Sequence, residues 1–352
     1  MMDARVKPAH DAVLDRTDGR VGRLYQDRHA GLDPAIHPLR KTPQQAPGWL
    51  YTSAACVRSR AAQQTARSSQ RRRPARNSPR LPMRFTLTTW NINSVRLRID
   101  LVAAFLKEQQ PDVLCLQETK CPDDAFPLKR FKQLGYEHIA LNGQKGYHGV
   151  AVISKIPFVA RDIRIFCDNL DSRHISVSLG TGDNDPPLVL HNFYVPAGGD
   201  VADPELNPKF KHKLSFLDEM KACEPLHPSG DARHILVGDL NVAPHEHDVW
   251  SHKQLLKVVS HTPVECEKLL AVLRAGNWVD VARDRIPLSE KIYTWWSYRA
   301  ADWTVGDRGR RLDHIWVSEA LRTRVTDFKI LRDARSWERP SDHVPVTVTM
   351  EL

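Results

Sequence analysis

The chain has 352 residues, 41% of them hydrophobic and 26% charged, with a formal net charge of +9. That length and apolar content suit one large or two medium soluble domains, and no apolar run approaches the roughly 18 residues of a membrane span. The opening "MMDARVKPAHD" is charged and has no apolar stretch, so no secretory signal is expected. The six cysteines (Cys56, Cys115, Cys121, Cys167, Cys223, Cys266) are scattered, with no C-x-x-C pair. Reduced thiols in a cytoplasmic protein are expected, not a disulfide framework or a zinc site.

The positive charge is unevenly placed. Residues 1–82 hold 16 Lys/Arg against 6 Asp, and the remainder holds 35 basic against 36 acidic residues. Nucleic-acid binding by the remainder must therefore rest on local patches. Residues 1–82 carry no acid after Asp33 and include "QQTARSSQRRRPARNSPRLP", so a disordered basic extension is expected there. A strand pattern begins at once after Met83, which is expected to be the natural start. A DNA-tethering arm and an Arg-rich transit peptide are the other readings of the segment. Residues 83–352 contain no linker-like stretch and are expected to form a single domain.

From Met83 the elements follow in order. "RFTLTTWNI" alternates as a strand, and "VRLRIDLVAAFLKEQQ" has helical spacing that stops before Pro111. "DVLCLQE", "HGVAVIS", "ISVSLG" and "LVLHNFYV" read as strands, with Cys115 a small core residue. Helices fit "NPKFKHKLSFLDEMKACEP" and "TPVECEKLLAVLRAG", and further strands fit "HILVGDLN", "LDHIWVS" and "VPVTVTM". Many strands with fewer helices suggest two sheets packed face to face, with helices outside.

The strand ends carry the chemistry. "HILVGDLNVAP" finishes a core strand with Asp239 and Asn241, which share one side if the backbone stays extended. Taken alone, Gly238, Asp239, Asn241 and Pro244 favour a turn over half of a polar site. Other ends carry Asn91 and Asn93, Gln117 and Glu118, Asn192 and Tyr194, Asp313, and Asp342 with His343. If these ends converge, four acids meet, and a hard divalent cation would relieve their repulsion. Oxygen donors suit magnesium or manganese and hence phosphate chemistry. Asp239 is then the candidate to activate water. Asn241, His343 and Tyr194 are candidates to stabilise phosphoryl oxygens, and Asp313 to fix the His343 tautomer.

The ordered set "TTWNINSVRLRI", "LCLQETK", "GQKGYHGVAVISK", "NFYVPAG", "VGDLNVAP", "YTWWSYR", "RLDHIWVS" and "RPSDHVPV" resembles the successive motifs of the exonuclease III / apurinic-apyrimidinic endonuclease family, within the endonuclease/exonuclease/phosphatase superfamily. The resemblance covers nearly all of residues 83–352. It implies an α/β fold, a four-layer α-β-β-α sandwich of two packed mixed sheets with outer helices, and a single catalytic nuclease domain. It implies a magnesium-dependent DNA repair nuclease, with manganese as a substitute, that cuts 5′ to abasic sites and processes 3′ ends of duplex DNA. The implied metal residues are Asn91, Glu118, Asp239, Asn241, Asp342 and His343. The implied catalytic residues are Tyr194, Asp239, Asn241, Asp313 and His343. A monomer without membrane contact is expected.

"YTWWSYRAADW" places Trp295, Trp296 and Tyr298 beside Arg299, an aromatic wall for a flipped, baseless sugar. Lys120 and Arg299 are candidate DNA contacts, joined by Lys145, Arg308, Arg311, Lys209, Lys211 and Lys213. The position three before Asp313, often apolar in the family, is Arg310 here, which shifts the expectation toward 3′-end processing. His138, His148 and His174 are expected to be surface or structural. Two other classes compete: a superfamily phosphatase or phosphodiesterase for inositol phosphates or lipids, and a catalytically dead DNA-binding module, which would have lost the polar residues named above.

Overall fold

The computed structural model describes residues 83–180, 186–299 and 302–352; the basic segment of residues 1–82 lies outside them. The first half runs β1 (Arg84–Asn91), α1 (Ile99–Gln109), β2 (Val113–Gln117), α2 (Leu128–Lys132), β3 (His138–Asn142), β4 (Val150–Ser154), β5 (Phe158–Asp162), β6 (His174–Leu179) and β7 (Leu188–Tyr194). Next come α3 (Pro208–Ala222), β8 (His234–Asp239), α4 (His252–Leu255), α5 (Pro263–Ala275), β9 (Trp278–Asp280) and α6 (Val281–Arg285). The chain ends with β10 (Trp295–Trp296), β11 (Gly309–Arg310), β12 (Asp313–Ser318), α7 (Glu319–Arg322), β13 (Val325–Ile330) and β14 (Val346–Glu351).

Two six-stranded sheets form, in the orders β13-β14-β1-β2-β4-β3 and β5-β6-β7-β8-β12-β9. Each has a parallel central pair, β1 with β2 and β7 with β8, flanked by antiparallel neighbours. The inward faces share one core. Leu87, Val113, Cys115, Val150 and Val152 from the first sheet meet Ile175, Val177, Leu190, Val237 and Ile315 from the second. The outward faces also bury apolar side chains. Trp90, Leu114 and Ile153 pack with Val102 and Phe105 of α1 and Phe131 of α2. Phe193, Leu236 and Trp316 pack with Phe216 and Leu217 of α3 and Leu269 of α5. The architecture is the expected α-β-β-α sandwich. The first helix is shorter than its apolar pattern: residues 95–98 form turns, and Gln110 closes it in a left-handed conformation before Pro111.

Local chemistry sets the other helix ends. Asn207 accepts a hydrogen bond from the Lys209 N–H to start α3, and Thr262 with Glu265 forms a capping box on α5. Lys213 on α3 and Glu265 on α5 form a fully buried ion pair, and Lys213 Nζ also donates to the Asn241 carbonyl at 2.7 Å. The two outer helices are thereby tied to the loop after β8.

Because β1 and β2 run together, and β7 and β8 run together, their carboxyl ends lie on one rim. Asn91 ends β1 and Asp239 ends β8, and their side chains touch across the sheets at 2.9 Å. Gly238 permits the approach of β8 to β7. Its φ is +141°, and a Cβ there would meet the Phe193 carbonyl oxygen at 1.9 Å. Gly238→Ala is expected to cost about 3 kcal/mol; urea unfolding of the variant measures this, and a change below about 1 kcal/mol would show that β7 yields freely.

Candidate active site

Asp239 is 1% exposed and sits at the centre of the rim. One oxygen, Oδ2, accepts from Asn91 Nδ2 at 2.9 Å and from Asn241 Nδ2 at 3.2 Å. The other accepts from the Asn241 backbone N–H at 3.0 Å. Asn241 has φ +54°, so the chain is not extended through it. The turn and the site are the same object: an Asx-type turn curls the Asn241 carboxamide back onto Asp239. Both amide hydrogens of Asn241 are engaged, the second by Val195 O at 2.9 Å. What it offers the cleft is its amide oxygen.

The Asn91 carboxamide also donates to Glu118 Oε1 at 2.9 Å, so one side chain bridges two carboxylates. Tyr194 donates its phenol to the same Glu118 oxygen at 2.9 Å. Lys120 Nζ lies 2.8 Å from Glu118 Oε2 and 2.6 Å from Asn93 Oδ1. Asn93 in turn donates to Asp342 Oδ1 at 3.1 Å. Glu118 and Lys120 both hold positive φ, at 50° and 49°, which turns their side chains inward from the end of β2. Burial opposes the Glu118 charge, but Lys120 and Asn91 outweigh it and hold the carboxyl below its ordinary value.

On the other side, His343 Nδ1 lies 2.8 Å from Asp313 Oδ2, and Nε2 lies 3.6 Å from Asp239 Oδ2. Thr294 fixes Asp313. Its hydroxyl donates to Asp313 Oδ2 at 2.6 Å and accepts from the N–H groups of Leu312 and Asp313. Burial disfavours the imidazolium, yet Asp313 and Asp239 overcome it and raise His343 to about 10. Burial raises the Asp239 carboxyl to about 7, with His343 opposing and Asp313 adding. Donor atoms of Asp239, Asp313 and His343 lie within 4.8 Å of one another. His343 Nδ1 and Asp313 Oδ2 already face each other at hydrogen-bonding distance, however, so the oxygen donors on the Glu118 side are better placed for a cation.

The rim opens into a cavity of about 520 Å³ lined by Glu118, Tyr194, Asp239, Asn241, Asp342 and His343. Trp295 lines it too, its indole N–H donating to Asp342 Oδ2 at 2.9 Å. Arg299, Arg308 and Arg310 line it as well, as does Asp200. Lys145, Lys209 and Lys211 are exposed elsewhere on the surface.

Three expected contacts lie elsewhere. Trp296 is 1% exposed, bonds Asp307 through its indole N–H at 2.8 Å and packs against Tyr293 and Trp303, because neighbouring residues of a strand face opposite ways. Arg311 is fully buried against Asp248 and Asp280, and Lys213 against Glu265. None of the three can meet a phosphate. His148 was expected to be a bystander, but Arg173 joins it to the site. The Arg173 guanidinium lies 5.0 Å from the Tyr194 ring centroid, donates to Tyr194 O and lies 2.9 Å from His148 Nε2. Asn93 was named among the strand-end polar residues without a role, Thr294 lies unremarked within "YTWWSYR", and Arg173 had no sequence signal.

This rim, at the carboxyl ends of two packed sheets, defines an acid-rich phosphoesterase type of site. Residues 88–343 match the model of the endonuclease/exonuclease/phosphatase family, and the chain belongs to that family. It is 33% identical over 267 residues to exodeoxyribonuclease III of Haemophilus influenzae, covering 73% of this chain and 97% of that one. An AP endonuclease from Archaeoglobus fulgidus superposes with a TM-score of 0.69 at 30% identity, over 76% of this chain and 100% of that one. A 3′ phosphatase from Neisseria bound to a product DNA hairpin gives a TM-score of 0.68 at 29% identity, with the same coverage. The chain is an exonuclease III-like nuclease, a hydrolase of a metal-dependent family. No helix among the described residues is long and apolar enough to cross a membrane.

The buried Arg311–Asp248 pair sets an acid limit on stability. Burial works against the Asp248 charge, but Arg311 and Arg283 outweigh it and hold the carboxyl at about 2, below an ordinary value of about 3.9. A carboxyl depressed by folding adds stability above its unfolded value, and loses it as pH falls through the folded value. Between about pH 4 and pH 2 the fold should lose about 2–3 kcal/mol from this group. Asp248→Asn should cost about 3–5 kcal/mol at pH 7 and flatten that acid slope. Urea titrations from pH 2 to 7 read both effects, and parallel slopes in the two proteins would contradict the assignment.

Proposed function

We propose that this chain is a magnesium-dependent DNA repair nuclease, with manganese able to substitute. It hydrolyses phosphodiesters 5′ to abasic sites and removes nucleotides or blocking groups from 3′ ends of duplex DNA, acting as a cytoplasmic monomer. One observation carries the reading: the Asn91 carboxamide bridges Glu118 and Asp239 at 2.9 Å each. A carboxylate kept ionised and a carboxyl raised toward neutrality thus share one cleft, which metal binding and proton transfer each require. Likeness to an AP endonuclease, and to a phosphatase bound to a DNA hairpin, supports DNA as the substrate.

The donor set fits a hard divalent ion. Glu118, Asn91, Asp239, Asn241 and Asp342 supply oxygen, the five described cysteines are free thiols outside the cleft lining, and the Lys120 ammonium already meets the Glu118 carboxylate. Glu118 would be the main ligand, with Asn91, Asp239, Asn241 and Asp342 around it. Such an ion, when bound, offsets the negative charge that grows on the phosphoryl oxygens.

The remaining chemistry belongs to the chain. Asp239 accepts a proton from water as the water oxygen joins phosphorus; its raised pKa suits proton exchange near neutral pH. The bond from phosphorus to the 3′-oxygen breaks, and that oxygen leaves with the electron pair and is protonated in turn. His343, kept cationic by Asp313, faces the same space and stabilises the charged transition state. The Tyr194 phenol holds Glu118 and stays protonated, because burial and then Glu118 and Asp239 push its pKa far up.

Asp239→Asn should lower turnover by roughly 10²–10⁴-fold while DNA binding persists. End-labelled duplexes with and without one abasic site, incubated with magnesium or with EDTA, provide the assay. Near-normal turnover of the variant, or cleavage in EDTA, would overturn this mechanism. Cleavage of inositol phosphates in place of DNA would overturn the substrate.

A further inference from the structure

The two carboxylate oxygens of Glu118 have different partners. Oε1 accepts from Asn91 Nδ2 and from the Tyr194 phenol, each at 2.9 Å, and both donors are neutral. Among the described residues Oε2 meets only Lys120 Nζ, at 2.8 Å. The oxygen left over for a cation is therefore already held by one. Lys120 Nζ also donates to Asn93 Oδ1 at 2.6 Å, and Asn93 Nδ2 donates to Asp342 Oδ1 at 3.1 Å. One amide thus links the ammonium to a second acid of the rim.

The backbone beneath this pair is fixed, while the lysine stem is not. Past the end of β2 the Ser94 N–H donates to Glu118 O at 2.7 Å, and the Lys120 N–H donates to His148 O at 2.9 Å. Thr119 between them is buried, and a Cβ on Gly149 would meet its Oγ1 at 2.2 Å. The Glu118 side chain is 18% exposed and that of Lys120 31%, so the lysine is the more open partner. An ion pair this accessible to water is weak, and a flexible four-carbon stem lets the charge leave without disturbing the backbone. A divalent ion attracts the same oxygen more strongly than a single charge does, and its field repels the ammonium.

We propose that Lys120 is an exchangeable cation. It neutralises Glu118 Oε2 when no divalent ion does, yields that oxygen when one binds, and then carries its charge to a DNA phosphate beside the cleft. This rests on the proposed metal-assisted hydrolysis of DNA and adds a coupling between its two ligands. Lys120 lowers divalent-ion affinity in the DNA-free protein, and a DNA phosphate restores that affinity by drawing the ammonium away. By reciprocity, the ion strengthens DNA binding through the same side chain.

Both halves of the exchange are read from binding, without turnover. Mn²⁺ affinity is measured from the EPR signal of free Mn²⁺ in the DNA-free protein. DNA affinity is measured by fluorescence anisotropy in EDTA and in saturating Mn²⁺, with a closed dumbbell duplex that has neither ends nor abasic sites. Lys120→Met should bind Mn²⁺ about tenfold more tightly than the wild-type chain, and Lys120→Arg, which keeps a competing charge, should stay close to wild type. Lys120→Met should weaken dumbbell binding about tenfold in Mn²⁺ but about threefold or less in EDTA, where Glu118 already holds the ammonium of the wild-type chain. A lysine that only braces Glu118 gives the reverse, weaker or unchanged Mn²⁺ binding in Lys120→Met, and that result ends the proposal. Equal weakening of dumbbell binding in the two buffers ends it as well. Glu118→Gln separates the exchange from the wider reading. If Glu118→Gln abolishes Mn²⁺ binding while Lys120→Met leaves it unchanged, the exchange fails and the metal reading stands. If Glu118→Gln binds Mn²⁺ as the wild-type chain does, both fail.

Discussion

Keeping the Asp239 carboxylate out of water, between two sheets, is the constraint on which the rim depends. An ionised carboxylate buried without partners is prohibitively unfavourable. Here every neighbour is arranged around it: Asn91 from the facing sheet, Asn241 from the turn that follows, and His343 from the segment before β14. Those partners need anchors of their own. Asp313 holds His343, Thr294 holds Asp313, and the Lys213 ammonium holds the Asn241 carbonyl from behind. Buried groups of this kind are costly if half-satisfied, so the network constrains the relative placement of the two sheets as well as the chemistry.

The fold was legible where strands are buried on both faces. Interior strands such as β2, β4 and β8 read as apolar runs ("DVLCLQE", "HGVAVIS", "HILVGDLN") because core packs on each side of them, whereas β1 read as an alternating strand. The four edge strands did not announce themselves. β5 "FVARD" and β13 "VTDFKI" are largely exposed and carry charges, as edges that must avoid pairing do. At the site, residues with a chemical signature were visible: acids, amides and a histidine at strand ends. Thr294 and Arg173 were not, because their importance lies in partners distant along the chain. Asp171, beside Arg173, pairs with it and with His212 on α3.

Charge shows the same split between pattern and contact. The net charge of the catalytic portion says little, because "DRGRRLDH" sends its arginines to opposite places. Arg308, Arg310 and Leu312 line the cleft, whereas Arg311 and Asp313 point into the protein. This is the two-residue alternation of extended chain, applied to a segment in which Arg308 and Arg311 were both read as DNA contacts. The alternation makes one arginine a structural cation, neutralised by Asp248 and Asp280, and leaves its neighbours available to a ligand.

The two sheets build the rim with one repeated device. Asn91 ends β1, and its Oδ1 accepts from the N–H of Asn93; Asp239 ends β8, and its Oδ1 accepts from the N–H of Asn241, each at 3.0 Å. Asn93 and Asn241 share a left-handed conformation, with φ of 47° and 54°. The turns match in backbone and differ by one atom type at the strand end, amide nitrogen in Asn91 and carboxylate oxygen in Asp239. That difference is what allows them to touch. A second carboxylate at position 91 would face both Asp239 and Glu118 with no donor between them, whereas the carboxamide gives one hydrogen to each. A near-symmetric scaffold thus yields an asymmetric site, with a carboxyl raised toward neutrality at Asp239 and a carboxylate held below its ordinary value at Glu118, bridged by the Asn91 amide.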